Sequence, residues 1–197
     1  MAEEPLSKGE RTAQAIVQAA YQLFIDQGYH GTSMRQIANA AGVALGGIYN
    51  HFDSKEQIFE AVLLAKHPYH QVLPALAALP DLSAEQFIRE AARAFFAELT
   101  GRPDAIKLIF IELSEFRSRH AGLLFGAISP HFLPLIERFV HTPGGLRELP
   151  SQAVLLGFVG MLFSTYLGQI AGKLDDDAFE HQLDIFLHGV LSPEAQA

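Results

Sequence analysis

The chain has 197 residues, 49% of them apolar and 18% charged, with a formal net charge of −8 and no cysteine. That length buries a sizeable core without covalent staples, the composition excludes disorder, and the missing cysteines exclude disulfides and thiolate metal sites. The acidic balance argues against a protein that coats nucleic acid, so any contact with it must come from the placement of a few groups.

The first residues, MAEEPLSKGE, carry acids and no apolar run, which gives no secretory signal and makes the cytoplasm the expected address. Residues 1–9 read as a flexible arm. From Arg11 to Gln27, Ala15, Ile16, Ala19, Ala20, Leu23 and Phe24 recur at three- and four-residue steps, which predicts an amphipathic helix stopped by Gly28. Ser33 followed by Gln36 is a capping-box pattern opening a second helix through Ala41. Ser54 followed by Gln57 opens another, carrying Ile58, Phe59, Val62 and Leu63. Between them a short helix is expected from about Leu45 to Phe52.

Beyond His67, Pro68, Pro74 and Pro80 interrupt the periodicity until Ser83, with Gln86 behind it, restarts it to about Leu99. A further helix is expected from Pro103 to Phe116. The stretch from Gly122 to Pro134 reads as a broken helix, with Ser129 as cap, Pro130 at the first helical position and Pro134 as a kink. After a turn from His141 to Gly145, two final helices are expected, Ser151 to Ala171 and Asp175 to Leu191. No convincing alternating strand pattern, repeat or low-complexity tract is found, so the expected fold is all-α.

The segment with chemistry in it is Thr32 to Phe59, TSMRQIANAAGVALGGIYNHFDSKEQIF. Ala38 is small enough for two helices to cross closely, Gly42 can take the left-handed conformation of a tight turn, and Ile48 fills the wedge between the helices. That is a helix-turn-helix. The order of a short capped helix, AAGV, a short helix ending in IYNHF and a capped helix containing Lys55 resembles the DNA-binding segment of TetR-family regulators. The likeness covers about Arg11 to Leu63; the other two thirds are similar to the family in size and helical content alone. The resemblance implies a three-helix helix-turn-helix domain over residues 10–55 and a larger helical ligand-binding and dimerisation domain over residues 56–197.

Thr32 and Ser33 stand at a helix N-terminus, where hydroxyls and free N–H groups suit a phosphate, and Arg35 in the first turn can reach a phosphate or a base edge. The resemblance implies that Tyr49 and His51 bind backbone phosphate, and Lys55 is similarly placed. Outside the motif, Tyr49 would read as a half-buried core aromatic, and His51 and Lys55 as surface residues. Ala44, Leu45, Gly46 and Gly47 offer no bidentate base reader and Asn50 is the one amide beside them, so shape and methyl contacts are expected to carry the base preference. Gly46 and Gly47 each cost about 1 kcal/mol relative to alanine, so this helix is expected to firm up on DNA. From Glu10 to Glu60, three cations (Arg11, Arg35, Lys55) face five acids (Glu10, Asp26, Asp53, Glu56, Glu60). The head therefore depends on those acids pointing away from the duplex.

Residues 153–172, AVLLGFVGMLFSTYLGQIAG, carry no charge and match a bilayer in length. Ser164, Thr165, Tyr166 and Gln169 crowd the second half, and Gly160, Ser164, Gly168 and Gly172 form a four-residue stripe suited to close helix packing, which membrane helices also use. The family resemblance decides for a homodimer interface over a membrane span, with Phe179, Leu183 and Phe186 of the last helix completing it. An effector cavity, lipophilic or aromatic in its preference, is expected among Leu63, His67, Phe95, Leu99, Leu113, Phe116, Phe125, His131, Phe158, Leu162 and Tyr166. A filled aromatic core is the alternative for each phenylalanine. No cofactor and no metal site is expected: His67 and His70 have a ligand spacing, but Pro68 lies between them and a third ligand is missing.

The expected function is that of a ligand-responsive homodimeric repressor, partnered by a double-stranded DNA operator and a small effector that shifts the helix beginning at Lys55. An all-α enzyme on a small apolar substrate is the first alternative, weakened by the absence of a nucleophile elbow, phosphate loop or zinc motif. A membrane-attached helical protein is the second.

Overall fold

The computed structural model describes residues 6–67, 69–77, 82–140, 145–172, 174 and 177–191. Among them there are α-helices and no named strand; one isolated bridge joins Leu146 and Leu191. The chain divides into two compact units, residues 1–67 with 104–124, and residues 68–103 with 125–197. These units do not coincide with a boundary at residue 55, because the helix that follows Ser54 and a later helix both contribute apolar side chains to the N-terminal core.

In the first unit, α1 (Lys8–Gly31) starts earlier than the apolar period indicates, because Ser7 and Glu10 form a capping box. Gly28 breaks its helical geometry at φ 77°, where the sequence placed the stop. α2 (Met34–Ala40) is capped by Ser33 and Gln36. α3 (Leu45–Ile48) is shorter than expected; a hydrogen-bonded turn continues it to Phe52, with His51 and Phe52 N–H both donating to the Ile48 carbonyl. α4 (Lys55–Lys66) is capped by Ser54, while the Gln57 side chain accepts from the Asp53 N–H. α7 (Pro103–Glu115) and the first residues of α8 (Ala121–Val140) complete the unit.

Its core is Ile16, Ala20 and Phe24 of α1, Ile37 and Ala38 of α2, Ile48 of α3, and Ile58, Phe59, Val62 and Leu63 of α4, with Leu108 and Phe116 behind them. Ile48 and Ala38 are buried, as wedge and close crossing require. Between α2 and α3 the Val43 N–H donates to Ala38 and the Gly42 N–H to Asn39, a Schellman closure with Gly42 at φ +69°. A Cβ at Gly42 would touch nothing, so the penalty of Gly42→Ala is backbone strain alone. That substitution is expected to lower stability by about 1–2 kcal/mol, read from the urea midpoint at unchanged slope.

In the second unit α5 (Tyr69–Ala77) continues through Pro74, and α8 continues through Pro130 and Pro134, where the sequence predicts interruption, an internal cap and a kink. A proline inside a helix costs about 3 kcal/mol, mostly a lost hydrogen bond and a local clash. Burial of Val72 and Leu76 on α5 and of Phe132 and Phe139 on α8 opposes that cost. Pro68, Pro80, most of the turn after Val140 and the expected start at Asp175 lie outside the described residues.

α6 (Ala84–Gly101), with the Ser83 and Gln86 capping box, packs on α5, on α9 (Ser151–Ile170) and on α10 (Ala178–Val190). Arg89 donates to Glu85 (2.9 Å) and Asp184 (2.8 Å) and Arg93 to Glu180 (3.1 Å), tying α6 to α10 along their wet edge. α9 is the one helix, among the described residues, long and apolar enough to cross a membrane. Its Val154, Leu155, Phe158, Met161, Leu162, Thr165 and Tyr166 are buried against the unit's own core.

Candidate nucleic-acid interface

Along α2, α3 and the turn that follows, Arg35, Ala44, Leu45, Gly46, Tyr49 and Asn50 are exposed, with Gly47 and His51 half-buried. The Tyr49 ring is 51% exposed, which sets it apart from a core aromatic, and Phe52 beside it packs against the core instead. Nothing lies within 4 Å of a Cβ placed on Gly46 or Gly47, so the backbone of this turn stands open to a close approach. The Ser33 hydroxyl is held by Gln36, accepting from its N–H (3.3 Å) and donating to its side-chain oxygen (2.7 Å).

Thr32 and Lys55 are placed differently from the expectation. Thr32 is 2% exposed; its hydroxyl donates to the Gly28 carbonyl (2.9 Å) and its N–H to Tyr29, satisfying the end of α1 where the helix is broken. Its expected phosphate group is thus already engaged within the chain. Lys55 Nζ donates to the carbonyls of Tyr29 (2.6 Å) and Thr32 (2.7 Å) and sits 4.0 Å over the Tyr29 ring. Two of its three hydrogens therefore hold the α1 terminus to the start of α4. Burial pushes its ammonium below the usual lysine range, against the opposing pull of Glu115.

Three of the five acids of the head, Asp26, Glu56 and Glu60, have partners within the chain. Glu56 and Glu60 face His120, and Arg119 donates to Glu56 (2.8 Å). Asp26 accepts from Gln22 (3.1 Å).

The expected effector residues are divided between the two units. Leu63 and Phe116 are in the first unit's core, Leu113 is exposed there and His67 half-buried. Phe95 and Leu99 pack on the second unit's core, Phe158, Leu162 and Tyr166 belong to it or are buried beside it, and Phe125 and His131 are exposed. Burial raises the Tyr166 phenol above its ordinary value. The second unit contains an apolar cavity of about 40 Å³ lined by Phe87, Phe132, Phe139, Phe158 and Phe186 with aliphatic neighbours. Of the expected set, Phe158 alone lines it. Most of these aromatic rings act as packing in this form.

The expected dimer residues also separate. Phe179 and Leu183, expected in the dimer interface, are buried in the chain's own core, and Leu174 packs over Gly168. Gly160, Ser164 and Gly172 are exposed and Phe186 half-buried. The sequence reading missed Leu156 (63% exposed), Val159, Ile170 and Ile185 (67% exposed), large apolar side chains left outside on α9 and α10. Plotting α9 on a helical wheel opposite Val154, Leu155, Phe158 and Leu162 is the signal that finds the first three.

Residues 16–62 match the model of the bacterial regulatory proteins, tetR family. The chain is 37% identical over 179 residues to the HTH-type transcriptional regulator SrpR of Pseudomonas putida, covering 88% of this chain and 78% of that protein. It is 26% identical over 190 residues to the HTH-type transcriptional repressor AcnR of Corynebacterium diphtheriae, with 92% of both chains covered. In fold it is similar to the transcriptional regulator FadR from Bacillus subtilis in complex with stearoyl-CoA, at a TM-score of 0.71 and 19% identity, over 89% of this chain and 98% of that one. With a Schellman-closed helix pair, its exposed Tyr49 face and likeness to a regulator over most of both lengths, the chain belongs to the TetR family of bacterial transcriptional regulators.

Proposed function

We propose that the protein is a homodimeric repressor that binds an operator through the α2–α3 face and is released by a lipophilic or aromatic effector. The observation that carries this reading is the outer face of the head: Arg35 and Tyr49 beside Gly46 and Gly47, with Glu56 and Glu60 turned toward other groups. Arg35, Tyr49 and His51 supply phosphate contacts, while the Ser33 hydroxyl and N–H are taken up by Gln36; Ala44, Leu45 and Asn50 with the glycine backbone face the bases. Lys55 acts mainly as a brace for α1, with one hydrogen left for phosphate.

Dimerisation through Leu156, Val159, Gly160, Ile170 and Ile185 supports the reading because one short recognition turn reads few base pairs, and a two-fold axis doubles the site. AcnR, a relative, is named a repressor, and FadR, a fold neighbour, holds stearoyl-CoA. A drug-sized ligand needs about 300 Å³ or more. The 40 Å³ cavity of the second unit must therefore widen, and repacking of its phenylalanines is the release signal in this scheme.

The experiment is selection of bound duplexes from a random pool, then affinity measurement with Arg35→Ala and Tyr49→Phe. Each removes an exposed group, so folding is untouched, and each is expected to weaken operator binding about 10-fold across sequences. Equal binding by both variants would remove this face from the interface.

A further inference from the structure

Behind the exposed face of the head lies a group that operator binding does not use. His120, in the turn between α7 and α8, is 4% exposed, with the rings of Phe59 and Phe116 at 6.0 and 4.7 Å from its own. Glu112 of α7, equally buried, receives the His120 backbone N–H (2.7 Å) on one oxygen and contacts Nδ1 (2.7 Å) with the other. A carboxylate is an acceptor only, so Nδ1 carries the hydrogen, and in the tautomer with its one hydrogen there Nε2 offers a lone pair to a cation. That lone pair faces Glu60 of α4 at 3.2 Å and Glu56, one turn earlier, at 3.4 Å, yet Nε2 makes no hydrogen bond among the described residues. Three acceptor atoms thus converge, all within 4.8 Å of one another.

Acceptors that converge in this way repel each other unless a proton or a metal cation lies between them. Among the described residues, the guanidinium paired with this cluster is that of Arg119, which donates to Glu56 from the solvent side with its own side chain 68% exposed.

We propose that Glu56, Glu60 and His120 form a binding site for a divalent transition-metal ion of the zinc class. Ligands at about 2.0–2.1 Å from a tetrahedral metal lie roughly 3.3 Å from each other, close to the 3.2 and 3.4 Å separations here. Imidazole nitrogen with two carboxylates selects zinc-like ions over magnesium or calcium, which take oxygen. Glu112 on Nδ1 is the partner that fixes the tautomer and turns Nε2 toward the metal. The Phe59 and Phe116 rings shield one side. Glu56 and Glu60 are only partly buried and give access on the other. Arg119 is exposed enough to leave Glu56, or Glu56 binds through its second oxygen. The bound ion pins α4 to the turn that follows α7, within the same compact unit.

The test uses the full chain, stripped by a chelator and dialysed, titrated with Co²⁺ and with Zn²⁺. One equivalent of Co²⁺ is expected to give the ligand-field absorption of a four-coordinate site, bleached by Zn²⁺, and Zn²⁺ to raise the thermal midpoint. Glu112→Gln is expected to weaken binding about 10- to 100-fold, and His120→Gln and Glu60→Gln by at least as much. Glu60→Gln changes a part-exposed side chain and so keeps the test decisive if the buried variants fail to fold. His181→Gln, an exposed histidine of α10, is the control and leaves the titration unchanged. Absence of a saturable one-equivalent signal, or a signal that survives Glu60→Gln, overturns the site. These readouts need no operator, so they stand apart from the proposed regulatory role.

Discussion

Replacing Phe59 by alanine is expected to lower the unfolding free energy by about 3–5 kcal/mol, enough to threaten the folded population of an ordinary domain. Phe59 is fully buried, and its ring stacks on Phe116 at 4.8 Å and meets Phe24 and Tyr29 edge-on at 5.6 Å each. Truncation removes the transfer energy of the ring and leaves a hole bordered by three other aromatics, which cannot all move in to close it. Helices α1 and α4 and the Phe116 turn meet at this ring, so the loss falls on the whole first unit. Equilibrium urea unfolding, with the slope held to its wild-type value, measures it. A loss below about 1.5 kcal/mol would show that the site collapses freely and that the aromatic cluster is not the unit's keystone.

Substituting lysine for both Leu156 and Ile185 is expected to convert the proposed dimer into a folded monomer. Both side chains are about two-thirds exposed in the single chain, so the monomer loses little by the change. In an isologous dimer each substitution occurs twice, and four buried apolar groups become four ammonium groups without partners. At about 2 kcal/mol for each lost apolar side chain, the dissociation constant rises by at least about a thousandfold. Sedimentation velocity at micromolar concentration reads the change, and helical circular dichroism verifies the fold. Operator affinity falls with it because two heads no longer bind as one. A variant that still sediments as a dimer would move the interface elsewhere.

Much of the head was legible because its signals are local. The Ser33–Gln36 and Ser83–Gln86 boxes and the Ser54 cap act within one helical turn, and the structure uses each of them. Gly42 and Ile48 were readable for the same reason, a backbone conformation and a side-chain volume demanded at fixed steps from a capped helix. The prolines misled. Their cost is local too, but α5 and α8 recover it through tertiary burial of Val72, Leu76, Phe132 and Phe139, which no short window contains. Thr32 and Lys55 read in the sequence as phosphate contacts; the broken end of α1 at Gly28 presents carbonyls without helical partners, and these two side chains answer them.

By itself, the sequence determined the helical class, the helix-turn-helix and the family, because periodicity, caps and a required left-handed glycine are properties of neighbouring residues. Only the tertiary structure decided which faces of α9 and α10 remain outside, how far the second unit's aromatic rings fill its interior, and that Glu56, Glu60, Glu112 and His120 meet. Those outcomes depend on packing between helices distant in the chain, where burial and charge compensation are settled by all the partners at once.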